Sequence, residues 1–161
     1  MDFRIGIGID LHKLDINSSK PLVIGGIRIP SELGILAHSD GDVLIHAIVD
    51  ALLGASALGD IGELFSDNDP SIKDKKSEFF LLAVKNMLND RQYSIVNLDC
   101  IIHLEKPKLT TYKTQIRDNI AKMLEISVDA VNVKAKTREK LDAVGRGEAI
   151  EAIVSVLLLK N

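Results

Sequence analysis

Apolar and small residues alternate with period two through Arg4-Ile5-Gly6-Ile7-Gly8-Ile9-Asp10-Leu11-His12, predicting a strand in which Asp10 and His12 leave the same face. The pattern changes in Val43-Leu44-Ile45-His46-Ala47-Ile48-Val49-Asp50-Ala51-Leu52-Leu53. This segment is apolar around most of a helical circumference, so it reads as a buried helix carrying His46. Between these two elements, Leu22-Val23-Ile24 and Ile27-Arg28-Ile29 flank Gly25-Gly26 as a small hairpin.

The polar run Ala37-His38-Ser39-Asp40-Gly41-Asp42 predicts a turn, with Asp40 or Asp42 capping the helix that follows and Gly59 ending it. Residues 60–76 are rich in Gly, Ser, Asp, Asn, Pro and Lys and read as a long surface loop. Phe80, Leu81, Val84, Met87 and Leu88 form one helical face, as do Ile116, Ile120, Met123 and Leu124. Strands are expected at about 93–105, 131–137 and 149–159. The last is apolar on both sides, with Ile150, Ala152, Val154, Val156 and Leu158 alternating with Ile153, Leu157 and Leu159.

The expected fold is therefore α/β of the α+β type: a four-stranded mixed sheet with helices on one face and a small N-terminal hairpin. The helices leave the second face uncovered, which predicts that identical subunits pack there. At 161 residues the chain reads as a single domain over 1–161. A net charge of −3 argues against a nucleic-acid binder, and the one cysteine, Cys100, excludes an internal disulfide and a thiolate zinc cage. The N-terminus has no basic segment followed by an apolar run, so a cytoplasmic location is expected. The longest apolar stretch, 43–58, falls short of the ~20 residues of a spanning helix, and no membrane association is expected.

Asp10, His12 and His46 form the main chemical constellation. Two imidazoles and a carboxylate with a fourth position open are the ligand set of a catalytic zinc. The competing reading has Asp10 capping a turn and His46 hydrogen-bonded within the core. Asp42, His46 and Asp50 recur every four residues, so either carboxylate can orient the imidazole from behind. His38 and Ser39 precede a helix start and either form a plain turn or suit a phosphate. Asp60-Ile61-Gly62 and Phe65-Ser66-Asp67-Asn68-Asp69 offer groups to sugar hydroxyls, or are solvated loops. Lys136-Thr137-Arg138-Glu139-Lys140 reads as a charged surface turn or as a site where Glu139 suits a hard cation such as magnesium bridging a diphosphate, and Arg146 suits a phosphate or is simply exposed.

Taken together, these segments resemble the 2-C-methyl-D-erythritol 2,4-cyclodiphosphate synthase family of the non-mevalonate isoprenoid pathway. The resemblance is carried by Asp10-Leu11-His12, Ile24-Gly25-Gly26-Ile27-Arg28-Ile29-Pro30, Ala37 through Gly54, Leu58-Gly59-Asp60-Ile61-Gly62, Val131-Asn132-Val133-Lys134-Ala135 and Gly145-Arg146-Gly147-Glu148. It implies a homotrimer with active sites between subunits. It also implies a lyase in which the 2-phosphate of 4-diphosphocytidyl-2-C-methyl-D-erythritol 2-phosphate attacks the β-phosphorus and expels CMP.

By that resemblance Asp10, His12 and His46 hold zinc, and Glu139 holds magnesium or manganese. His38 and Thr137 stabilise the transition state, and Ser39 contacts phosphate. The cytidine pocket is Leu104, Glu105, Lys106, Pro107, Lys108, Leu109 and Thr110; Asp60, Ile61 and Gly62 meet the ribose; and Phe65, Ser66, Asp67, Asn68 and Asp69 border the erythritol. Leu11, Lys136, Arg138 and Ala143 complete the implied substrate contacts, and Arg146 stands where the family places a phosphate-binding or trimer-axis arginine. The chain also departs from the family pattern. Asp142-Ala143 replaces a glycine and an aromatic residue, Lys136 a threonine, and Thr110 an apolar residue. A metal-dependent nucleotide hydrolase and a non-catalytic cytidine-nucleotide binder are the competing functions.

Overall fold

The computed structural model describes residues 1–37, 39–66 and 75–161. Its main sheet has five strands in the order β4-β1-β7-β5-β6, formed by β1 (Asp2–Asp15), β4 (Gly34–Leu36), β5 (Tyr93–His103), β6 (Val131–Lys136) and β7 (Ala149–Lys160). The four strands expected from sequence are present. The fifth, β4, pairs with Lys13, Leu14 and Asp15 at the sheet edge, and its three residues are too short to display a period. The sheet is mixed because β5 and β6 are parallel, whereas β7 is antiparallel to both β1 and β5. Consequently β1, β5 and β6 all run toward one end of the sheet, where Asp10, Ala152 and Ile102 share a row. At the other end Asp2 and Tyr93 both pair with Lys160.

The hairpin consists of β2 (Leu22–Ile24) and β3 (Ile27–Ile29). Gly25 and Gly26 both have positive φ, at 59° and 76°, as a two-residue hairpin turn of this twist demands. Their amides are not left bare, because Gly25 N–H donates to Asp42 Oδ1 at 2.8 Å and Gly26 N–H to Asp42 Oδ2 at 2.6 Å. Asp42 also caps α1 (Val43–Ala55) by accepting from Ile45 N–H at 3.1 Å. One carboxylate thus ties the hairpin to the helix start.

Helix α1 ends at Ala55, four residues before the glycine expected to stop it. Ala57 takes a left-handed conformation (φ 55°), and Leu58 N–H closes back onto the Leu53 carbonyl at 2.9 Å, which terminates the helix without glycine. The loop at 60–76 contains the short α2 (Ile61–Leu64), capped by Asp60. Helices α3 (Ser77–Asp90) and α4 (Lys113–Leu124) complete the layer over the sheet, and α5 (Asp142–Gly145) is a single turn before β7.

All the helix-facing residues of β7, from Ile150 to Leu158, are buried against this layer, together with Leu98, Cys100 and Ile102 of β5. Each large apolar side chain so removed from water contributes about 1.5–3 kcal/mol. The opposite face is different. Phe3, Ile5, Ile7, Ile9 and Leu11 of β1 are between 49% and 75% exposed, forming an apolar stripe with Ile153 and Leu157 of β7 beside it. Across the sheet toward β6 the same face becomes charged, with Asp99, Lys134 and Lys136.

Candidate metal centre

Helix α1 lies unusually close to β1. A Cβ on Gly8 would stand 1.9 Å from the Ala47 carbonyl oxygen, and one on Gly6 would stand 1.9 Å from that of Ala51. Four helical residues rise about 6 Å and two strand residues about 6.6 Å, so the two elements run past each other nearly in step. The glycines that look merely small in the sequence are the seam along which helix and strand backbones touch. Past the seam, the next inward positions on β1 are Asp10 and His12, and they meet His46 of α1.

The three side chains converge. His46 Nδ1 lies 3.0 Å from Asp10 Oδ2, His12 Nε2 lies 3.1 Å from the same oxygen, and the two ring nitrogens are 3.2 Å apart. The rings meet edge to face at 81°. A tetrahedral ion with bonds of ~2.0–2.1 Å holds its ligand atoms roughly 3.3–3.4 Å apart, so this triangle is close to one face of such a tetrahedron. The side chains are 13–25% exposed, so the triangle is part-buried but still touches solvent. Among the described residues this is the group of histidine and acidic side chains able to surround an ion.

Electrostatics point the same way. Burial alone would raise the Asp10 pKa, but hydrogen bonds from His12 and His46 and their charges prevail and hold it well below 3.8. For His46, burial works against the charged form. The Asp10 hydrogen bond and charge, aided by Asp42 and Asp40, nevertheless raise its pKa above 6.5. The site therefore favours positive charge at its centre, and a divalent ion would replace protons there.

Behind the ring, neither Asp42 nor Asp50 orients His46. Asp42 serves the hairpin and helix cap, and Asp50 accepts from Ile61 N–H at 2.8 Å. The ring's far nitrogen, Nε2, instead faces Ser77 Oγ at 2.8 Å, and that hydroxyl bonds to Asp40 Oδ1. Sequence reasoning missed Ser77. Its only signal was a serine at a helix start, 31 positions from the histidine it touches.

The remaining candidates cluster by loop. Ser39 is half-buried, its hydroxyl accepting from Gly41 N–H at 3.1 Å. Asp60 is exposed at the start of α2 beside Ile61 and Gly62, and Phe65 stacks on Phe80 with ring centres 4.9 Å apart. Loop 104–110 follows β5, with Leu104 and Leu109 buried as anchors and Lys106, Lys108 and Thr110 exposed. Glu105 Oε1 accepts from Arg138 N–H at 2.7 Å, joining this loop to the one after β6. The Arg138 side chain turns back onto Glu151, which also lies 2.9 Å from His103 Nδ1. Arg146 is exposed and paired with Glu148 at 3.0 Å. His38, Asp67, Asn68 and Asp69 lie outside the described residues.

Thr137 Oγ1 donates to Glu139 Oε1 at 2.5 Å. Both residues follow β6, three inter-strand steps from β1, so they stand roughly 14 Å from Asp10 by strand spacing alone. A single chain does not bring Glu139 into the metal triangle. Glu139, Lys140 and Asp142 all have left-handed φ, at 51°, 64° and 54°, a dense run of conformations that disfavour ordinary side chains. Asp142 occupies the position of the family glycine. Its carboxylate partly offsets the strain by accepting from Gly145 N–H at 3.0 Å.

A family model described as the YgbB family matches residues 3–159. A Fusobacterium nucleatum protein named 2-C-methyl-D-erythritol 2,4-cyclodiphosphate synthase is 50% identical over 158 residues, 98% of each chain. Its counterpart in Leptospira borgpetersenii is 45% identical over 159 residues, 99% of each. IspF of Plasmodium falciparum, solved as a CDP complex, superposes with a TM-score of 0.87 at 36% identity over 99% of this chain and 97% of its own. The bifunctional IspDF of Campylobacter jejuni superposes with a TM-score of 0.92 at 38% identity; this chain is covered to 98% and spans 42% of that longer one.

Proposed function

The chain belongs to the YgbB family, and we propose on that footing that it is a single cyclodiphosphate synthase domain over residues 1–161, working at a metal centre formed by Asp10, His12 and His46. It converts 4-diphosphocytidyl-2-C-methyl-D-erythritol 2-phosphate to 2-C-methyl-D-erythritol 2,4-cyclodiphosphate and releases CMP, in keeping with its relatives' names and with CDP bound to a similar structure. The 2-phosphate forms the new bond to the β-phosphorus as the bond to the CMP oxygen breaks. No water is consumed.

The observation that carries the metal reading is the part-buried triangle of donor atoms. Zinc fits this donor set of two imidazole nitrogens and a carboxylate oxygen, and when bound it draws negative charge off a phosphate oxygen. Glu139 offers an oxygen to magnesium or manganese, and Thr137 beside it offers a hydroxyl to the developing charge. His38 shares with Thr137 the role of stabilising the transition state, and Ser39 contacts phosphate. Loop 104–110 holds cytidine, Asp60 and Gly62 hold ribose, and residues 65–69 border the erythritol. Their joint task is to keep nucleophile and leaving group in line, since phosphoryl transfer depends mainly on positioning and charge.

The assembly is a homotrimer. Two features of the chain support this: the bare apolar stripe of β1, and the distance separating Glu139 from the triangle, which a neighbouring subunit's β6 loop can bridge. The described residues include no helix long and apolar enough to cross a membrane.

Incubating the zinc- and magnesium-loaded protein with substrate in ¹⁸O-water tests the reaction. CMP and cyclic diphosphate should form one to one without label. Labelled linear phosphates would replace this reading with a hydrolase.

A further inference from the structure

The hydroxyl behind the metal-binding imidazole has a defined proton count. Ser77 is wholly buried at the first turn of α3, its Oγ bonded to Asp40 Oδ1 and 2.8 Å from His46 Nε2, while its N–H donates to Asp40 Oδ2 at 3.0 Å. An ionised carboxylate only accepts, so the single hydroxyl proton goes to Asp40. The Ser77 oxygen is then left with lone pairs toward His46, and Nε2 must be the nitrogen that carries hydrogen. Nδ1, turned toward Asp10 and His12, is then the nitrogen that can give up its hydrogen to a cation, because the ring keeps the one on Nε2.

We propose that Ser77 and Asp40 are positioning residues for the metal centre, acting through His46 by fixing its tautomer and ring plane. The inference rests on the metal reading above and deepens it. The arrangement is a carboxylate–hydroxyl–imidazole chain, a longer form of the carboxylate–imidazole pairs that commonly stand behind metal-binding histidines. Although serine, histidine and aspartate also make up hydrolytic triads, the order here is different. The hydroxyl sits between the other two groups and is sealed from solvent, so it cannot act as a nucleophile. Without Asp40 the hydroxyl is free to donate into Nε2, which would drive the ring proton to Nδ1 and obstruct the metal position.

Zinc affinity of the metal-free trimer, measured by competition with a fluorescent chelator, should fall about 10- to 100-fold in Ser77→Ala and in Asp40→Asn. ¹H–¹⁵N correlation spectra of the zinc-loaded protein, with His46 assigned from His46→Gln, should show a slowly exchanging His46 Nε2–H in the parent that shifts and exchanges fast in Ser77→Ala. Should Ser77→Ala fail to fold, Ser77→Cys keeps the volume with a weaker donor and should shift both readouts in the same direction. Zinc affinity within twofold of the parent overturns the proposal, as does a His46 Nε2–H signal that Ser77→Ala leaves unchanged. So does a loss of urea resistance with both readouts unmoved, which would make the pair a purely structural tether. Asp10→Asn and His12→Ala are the separate check on the metal reading: if they bind zinc as the parent does, that reading fails whatever Ser77 does.

Discussion

Gly8 lies directly beneath the carbonyl of Ala47, so close that an added methyl would stand 1.9 Å from that oxygen. Since His46 is the residue before Ala47, Gly8→Ala should push the helix off the strand at the very point where the metal triangle closes. We expect a loss of about 1–3 kcal/mol in urea unfolding and a clear fall in zinc affinity. Gly6→Ala, one turn farther from the site, should lose similar stability with a smaller effect on zinc. Equal zinc affinity in both variants and the parent would show that the seam does not set the ligand distances.

Removing a ligand should separate chemistry from folding. His46→Ala and Asp10→Asn are each expected to lower zinc content to background and CMP release by at least about 10³-fold, the order of one major source of charge stabilisation. Circular dichroism should remain that of the parent. If the trimer falls apart instead, the ion has a structural share.

Burial raises the Asp42 pKa to about 6 from 3.8, against the opposing pull of its hydrogen bonds from Gly26, Gly25 and Ile45. The folded state thus holds this proton more tightly than the unfolded chain does, and the group's contribution to stability falls as pH rises from about 4 through 6, then levels off. Asp42→Asn turns an amide hydrogen toward a backbone donor, so it should be destabilising throughout, by about 1–3 kcal/mol. Its deficit relative to the parent should narrow between pH 4 and 6.5. Parallel stability curves for the two proteins would contradict the raised pKa.

Ile7 and Ile9 are 63% and 57% exposed in the middle of the β1 stripe. Replacing both with glutamate should leave each chain folded but dissociate the proposed trimer in light scattering. Activity should vanish with it, because each triangle would lose the β6 loop of its neighbour. A fully active monomer would place the whole site within one chain.

The left-handed run after β6 yields a simpler outcome. Lys140→Gly should raise the unfolding temperature modestly, since a non-glycine residue in that region costs about 1 kcal/mol, provided glycine's greater freedom in the unfolded chain does not offset the gain. Asp142→Gly should gain less, because it also removes the bond to Gly145 N–H.

What could be read from sequence follows the range over which each signal acts. Period-two and helical patterns are local, so β1, α1, the hairpin and β7 are legible, and with them the common face of Asp10 and His12. That His46 belongs with them follows from buried imidazoles needing partners. The end of α1 was misread because Gly59 is a plausible stop, whereas Ala57 in a left-handed conformation gives no compositional warning. β4 escaped because it is held by pairing with β1 rather than by its own pattern. The Ser77–Asp40 partnership spans 37 positions and depends on how α3 docks, which no local pattern encodes. The glycines at 6 and 8 were visible, but their purpose appears only once Ala47 and Ala51 stand over them.

Because Asp2 and Tyr93 both pair with Lys160 whereas Asp10 pairs with Ala152, the first and last strand residues lie eight positions, or roughly 26 Å, from the metal ligands. Anything joined at either terminus would hang from the far rim of the sheet, away from the Asp10–His12–His46 triangle. A purification tag, or a second enzyme as in the Campylobacter jejuni bifunctional chain, can therefore be carried there without crowding the chemistry.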